Sequence, residues 1–75
     1  MTQAPTVQAP PGTILFELRR VGNAVKASAI QVETNTEVCV MGPAGASHHA
    51  LKAAALRKLI YVLARRDGEQ RARSA

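Results

Sequence analysis

A wide apolar stripe with helical spacing runs through residues 47–66. At about 100° per residue, its apolar side chains fall on one half of the circumference. They are Leu51, Ala55, Leu56, Leu59, Ile60, Val62 and Leu63. Ser47 can accept a backbone N–H of the first turn, and the Arg65-Arg66 pair suits the negative end of the helix dipole. The pattern predicts an amphipathic helix that needs a surface to cover its leucines.

The preceding residues alternate between apolar and polar, as half-buried strands do. Residues 13–21 form the first such run, and Gly22-Asn23 predicts a two-residue turn into an antiparallel strand at residues 24–32. A second turn at residues 34–36 leads to a third strand at residues 37–41, followed by a linker at residues 42–46. The order of elements is therefore β-β-β-α.

These elements predict an α+β fold, a three-stranded antiparallel meander with one C-terminal helix packed on one face. The face expected under the helix carries Phe16, Leu18, Val25, Ala27, Val38 and Val40. Residues 13–66 form the predicted domain. Residues 1–12 are rich in proline and predict a disordered leader, whereas residues 67–75 are polar, contain a glycine and predict a disordered basic tail.

The sheet face away from the helix is expected to be open. It would display Leu15, Glu17, Arg19, Lys26, Ser28, Ile30, Cys39 and Met41. Its four apolar members, Leu15, Ile30, Cys39 and Met41, would form one patch if the strand registers bring them together. Self-association by this face or by a strand edge is one expectation. The alternative is that a two-layer domain simply leaves some apolar residues exposed.

The cysteine count, the apolar runs and the charge distribution indicate the expected location of the protein and the kinds of partner it could bind. The single cysteine excludes an internal disulfide, and no signal peptide or run of about 20 apolar residues is present, so a cytoplasmic protein without a membrane contact is expected. Residues 1–46 are balanced in charge, and the whole net charge of +5 lies in residues 47–75. Such asymmetry suits an anionic partner, although a solvated basic face explains it equally.

Residues that could support catalysis or hold a cofactor do not form a recognisable set. His48 and His49 are adjacent, so a helix directs their rings about 100° apart, and Cys39 alone does not complete a metal site. The carboxylates are scattered, and the loop before the helix lacks the lysine of a phosphate-binding loop. We therefore predict no catalytic residues, no cofactor and no metal.

The sequence resembles two known families. The runs at residues 20–26, 33–38, 41–43 and 56–63 resemble a family of short uncharacterised bacterial proteins known as a domain of unknown function. This resemblance covers roughly residues 14–66 and implies a small stand-alone domain without an assigned activity.

The second resemblance concerns the start of the helix. The β-β-β-α order, with residues 47–55 opening the helix, is similar to the C-terminal half of the double-stranded-RNA-binding domain. In that family a serine and basic residues at the helix start grip phosphates. Ser47, His48, His49 and Lys52 occupy the matching positions, but histidines stand where lysines are expected and the leader replaces the family's preceding helix.

Two functional hypotheses follow. The first is a small noncatalytic interaction module that binds an unknown protein or a second copy of itself. The alternative is a protein that binds the backbone of duplex RNA or DNA through the basic helix and tail. Its candidate contacts are Ser47, His48, His49, Lys52, Arg57, Lys58, Arg65 and Arg66.

Overall fold

A computed structural model describes residues 12–74 of the 75-residue chain, with side chains described for residues 12–69. Three strands, β1 (Ile14–Val21), β2 (Ala24–Gln31) and β3 (Thr36–Pro43), precede one helix, α1 (His48–Ser74). The strands form one antiparallel sheet in the order β1-β2-β3. The predicted α+β meander with a C-terminal helix is confirmed. Residues 1–11, assigned by the sequence to a leader, lie outside the described residues.

The two turns of the meander set the strand register. Gly22 has φ of 60°, and the pairing of Val21 with Ala24 leaves the predicted two-residue loop. Positive φ at the first central residue is typical of a type II′ hairpin turn, which matches the strand twist. The second connection is residues 32–35, where Asn35 takes φ of 54°. β3 consequently begins at Thr36 and runs through Pro43, longer than the predicted residues 37–41.

Small side chains on β2 let the helix approach the sheet closely. Ala27 and Ala29 of β2 and Ala55 of α1 are fully buried, and Leu59 of the helix is fully buried against them. The helix packs on β2 and β3. Because the helix lies to one side of β1, Phe16 keeps 37% of its surface exposed. The prediction that Phe16 belongs to the core is therefore wrong, although it lies on the predicted face.

The two ends of the helix can be compared with the start and end predicted from the sequence. The Ser47 hydroxyl accepts the backbone N–H of Ala50 at 3.2 Å, which confirms the predicted N-cap. The helical stripe predicted for residues 47–66 is part of a longer helix, which continues past Arg66 to Ser74. Gly68 does not take the positive φ that ends helices, and Glu69 lies 4.0 Å from Arg65, one turn away.

Polar contacts fasten the helix to the β3 side of the sheet. Lys58 donates to the backbone carbonyl of Cys39 at 2.9 Å, and Arg66 donates to the Thr36 hydroxyl. Thr36 is buried, and its hydroxyl is 2.8 Å from that of Thr34, which in turn donates to Gln31. These hydrogen bonds satisfy polar groups at the end of the core and hold the helix over β2 and β3. On the opposite side of the sheet, no described element forms a second layer.

Candidate interaction surface

The sheet face opposite the helix carries four side chains from each strand, which we call the open face. The register arranges it in four rows of three across the strands. Two outer rows are mainly apolar, namely Leu15, Ile30 and Glu37 at one end and Val21, Ala24 and Pro43 at the other. The two middle rows are Glu17, Ser28 and Cys39, then Arg19, Lys26 and Met41.

The four predicted interface residues form a diagonal band on this face. Leu15 and Ile30 are direct cross-strand partners, and Cys39 is diagonal to Ile30 on the neighbouring strand. Met41 follows Cys39 on the same side of β3. Leu15 is 52% exposed and Met41 57% exposed. The register therefore satisfies the geometric condition for one patch, because diagonal neighbours lie within reach of long side chains.

Charged side chains divide the open face by sign. Glu17 and Glu37 lie towards the Leu15 end, whereas Arg19 and Lys26 lie side by side as direct cross-strand partners in the third row. Like charges directly opposite each other on neighbouring strands are destabilising. Within the described side chains, none of these four charges has an ion-pair or hydrogen-bond partner. The face is neutral as a whole but carries separated negative and positive regions.

Ser28 forms the floor of the open face. It is only 1% exposed although no helix covers it, because longer side chains surround it on all three strands. Its hydroxyl oxygen lies 3.4 Å from the Cys39 sulfur. Cys39 thus faces away from the helix, and the sheet separates it from His48 and His49 in the first turn of α1. The structure does not bring these possible metal ligands together.

The predicted phosphate contacts do not gather on one surface. Ser47 caps the helix, and Lys58 and Arg66 are occupied by Cys39 and Thr36. His48, His49 and Lys52 are exposed near the start of the helix, whereas Arg57 and Arg65 lie one to four turns further on. At about 100° per residue, the cations between Lys52 and Arg66 cover more than half of the helix circumference. Arg65 also lies 5.8 Å above the ring of Tyr61.

A second apolar strip, which the sequence interpretation missed, lies beside the helix on the covered side. Lys58 contacts β3, so the opposite flank of the helix, with Leu56 and Ile60, is directed towards β1. Both residues are half-buried, and Phe16 of β1 is exposed. The signal was present in the width of the helical stripe, which exceeds what a helix needs to cover two strands.

The described residues also bear on metal binding and on membrane insertion. Among the side chains that the structure describes, no group of three or more His, Cys, Asp or Glu residues could hold a metal ion. In the described part of the chain, the helix is not long and apolar enough to cross a membrane.

Comparison with known proteins identifies one family. A family model described as "Domain of unknown function (DUF6898)" matches residues 11–66, which includes the three strands and the helix as far as Arg66. No curated protein and no solved structure gives a match.

Proposed function

We propose that this chain, which belongs to the family described as Domain of unknown function (DUF6898), is a noncatalytic protein-interaction module that docks through the open face of its sheet. The observation that carries the proposal is the exposure of Leu15 and Met41, at 52% and 57%, on a sheet face that no other described element covers. Exposed apolar side chains grouped with charged neighbours are typical of association surfaces.

The organisation of the open face favours it over the basic helix as the binding surface. A flat three-stranded face presents its apolar and charged groups in one direction, so one partner can contact them together. The helix directs Arg57 and Arg65 to different sides from Lys52, and it uses Lys58 and Arg66 to hold the sheet. A phosphate backbone needs several cations in one stripe. Duplex RNA or DNA binding is therefore the alternative that the experiment below must separate.

The test compares two substitutions of exposed residues on opposite sides of the molecule. Met41→Asp places a charge in the apolar band of the open face, and Tyr61→Asp places the same charge on the exposed outer side of the helix. Tagged full-length chains would capture partners from a native bacterial lysate under reducing conditions, which suit the cytoplasmic location expected from the sequence. Mass spectrometry would quantify the captured protein, with and without nuclease treatment.

We expect Met41→Asp to lose the captured protein and Tyr61→Asp to keep it, with no effect of nuclease. Loss with Tyr61→Asp but not Met41→Asp would overturn the assignment of the surface. Capture that depends on nucleic acid would instead support the helix. In that case fluorescence anisotropy should show duplex binding at about 50 mM salt that weakens steeply as salt rises.

A further inference from the structure

We infer that the partner of the open face is a second copy of this chain, packed face to face so that Glu17 of each copy meets Arg19 of the other. The inference rests on the proposed function and names the occupant of the same surface. The inferred charge pairs and the register between the two copies can be tested separately from the question of which surface binds.

A two-fold axis determines which rows of the open face meet. Consider an axis that lies between two stacked sheets and crosses the strands midway between the second and third rows. A half-turn about it places β1 over β1 of the second copy with the strands antiparallel. The second row then meets the third, and the first meets the fourth. Glu17 therefore faces Arg19 of the second copy, and the pair occurs twice because the interface is symmetric.

The same operation matches the apolar positions with one exception, Glu37, which meets Pro43 of the second copy at a corner of the interface. Leu15 meets Val21 of the second copy, both about half exposed, and Cys39 meets Met41. Sheets stacked in this way lie about 10 Å apart, so facing side chains interdigitate. Lys26 meets the small Ser28, beside which Glu17 of the second copy stands. The two adjacent cations of the third row thus gain an anion that the isolated chain does not place against them.

The other aligned two-fold arrangement is less favourable. An axis parallel to the strands places β1 over β3 of the second copy and β2 over itself. Lys26 would then meet Lys26, and Glu17 and Arg19 would meet Cys39 and Met41. Like charges would be juxtaposed and others buried against apolar groups, which costs free energy. Charge complementarity therefore selects the first arrangement.

The size of the face sets the expected strength of association. Three strands of eight residues span roughly 26 by 14 Å, or on the order of 350 Å² of projected surface per copy. Even with side-chain relief, two such faces reach only the lower part of the range for specific interfaces. Association should therefore be weak, with dimers forming at high micromolar concentration and dissociating on dilution.

Charge reversal tests the predicted pair. Sedimentation equilibrium of the full chain from low to high micromolar concentration should show a monomer–dimer equilibrium. Glu17→Arg and Arg19→Glu should each raise the dissociation constant about tenfold, because each creates two like-charge contacts. Combining both substitutions in one chain should restore it to within about threefold, since the pairs are re-formed with signs exchanged.

The matched control is Arg57→Glu, which makes the same charge change as Arg19→Glu on the helix. Both reduce the net positive charge of +5, so general repulsion between copies falls equally in the two variants. We expect weaker association with Arg19→Glu and no weakening with Arg57→Glu. Equal effects of the two variants would overturn the pairing.

Cysteine cross-linking tests the register. Cys39 is the only cysteine of the chain and faces position 41 of the second copy in the inferred arrangement. Facing Cα atoms of stacked sheets are about 10 Å apart, too far for a direct disulfide. Met41→Cys should therefore give a covalent dimer with a short homobifunctional thiol cross-linker, detected by denaturing electrophoresis. Glu17→Cys is the control for the other two-fold arrangement, in which Cys39 faces position 17, and it should give none.

The outcomes separate the two proposals. A monomer throughout the concentration range overturns the second copy as partner, whereas the capture experiment with Met41→Asp decides independently whether the face binds protein. A dimer that Met41→Asp abolishes, but in which the double charge exchange fails to restore affinity or Glu17→Cys cross-links, overturns the inferred arrangement and leaves the proposed function supported. Restoration together with trapping by Met41→Cys supports both.

Discussion

The two faces of this sheet are built from alternating residues of the same strands but differ in burial and charge. On β2, Val25, Ala27 and Ala29 are buried under the helix, whereas Lys26 and Ile30, at the alternate positions, point to the open side. The covered face is close-packed and contains no charge on its central strand. The open face keeps unpaired charges among exposed apolar groups. The covered face therefore stabilises the fold, whereas the open face is the surface that we propose binds a partner.

The largest difference in unfolding free energy should come from truncating one leucine to alanine on each face of the sheet. Leu59→Ala removes a fully buried side chain from the helix and should lower the free energy of unfolding by about 2–5 kcal/mol. Leu15→Ala on the open face should cost less than about 1 kcal/mol at low micromolar concentration, because Leu15 is already half exposed. Urea unfolding followed by circular dichroism measures both.

Leu59→Met keeps most of the volume and controls for the position itself. It should cost less than about 1.5 kcal/mol. Similar losses for Leu59→Ala and Leu15→Ala would contradict the division into a close-packed covered face and an exposed open face.

Overfilling the covered face should have the next largest effect. Ala27→Leu adds three carbon atoms at a fully buried position beneath the helix, and should lower the unfolding free energy by about 1–3 kcal/mol. Ala64→Leu makes the same change at an exposed helix position and should stay within about 0.5 kcal/mol of the parent. If the same urea titration shows no loss of unfolding free energy for Ala27→Leu, the helix does not need a small side chain beneath it.

Loss of the helix cap should have a smaller effect. Ser47→Ala removes the hydroxyl that accepts the Ala50 N–H and should cost about 1 kcal/mol of unfolding free energy. Ser47→Asp keeps an acceptor at the cap and should remain close to the parent. Thermal unfolding would detect the difference, and equal stability of the alanine and aspartate variants would remove the assigned role of the hydroxyl.

Removal of the last part of the helix should have the smallest effect on stability. The described side chains from Ala64 to Glu69 are exposed, so this end of the helix contributes little burial. A chain ending at Arg66 should lose helical circular dichroism from residues 67–74 while its unfolding free energy changes by less than about 0.5 kcal/mol. A larger loss would show that the extension stabilises the packed elements.

Local chemistry explains why most of the fold could be predicted. The alternation of residues 13–21, the Gly22-Asn23 turn and the Ser47 cap each depend on neighbours in the sequence, and the structure contains all three. Gly68 lies inside the helix, whereas a glycine can either end a helix or lie inside one at a cost of about 1 kcal/mol. Sequence alone does not choose between these two conformations.

Placement of the helix explains why the candidate surface could be predicted only in part. Alternation assigned Leu15, Ile30, Cys39 and Met41 to one face, and the register joined them into a band. The exposure of Phe16 follows instead from the position of the helix over β2 and β3, which the Lys58 and Arg66 contacts stabilise across the β3 edge. Those contacts join residues far apart in the chain, so no local sequence pattern predicts them.

The sequence by itself determined the number, type and order of the elements and the side of the sheet to which each strand residue points, because these depend on local periodicity and turn chemistry. Only the tertiary structure decided which strands lie under the helix, which cations are occupied in holding it, and that acidic and basic rows of the open face occupy two-fold related positions. Register and helix placement decide these features, and both are set by packing between distant residues.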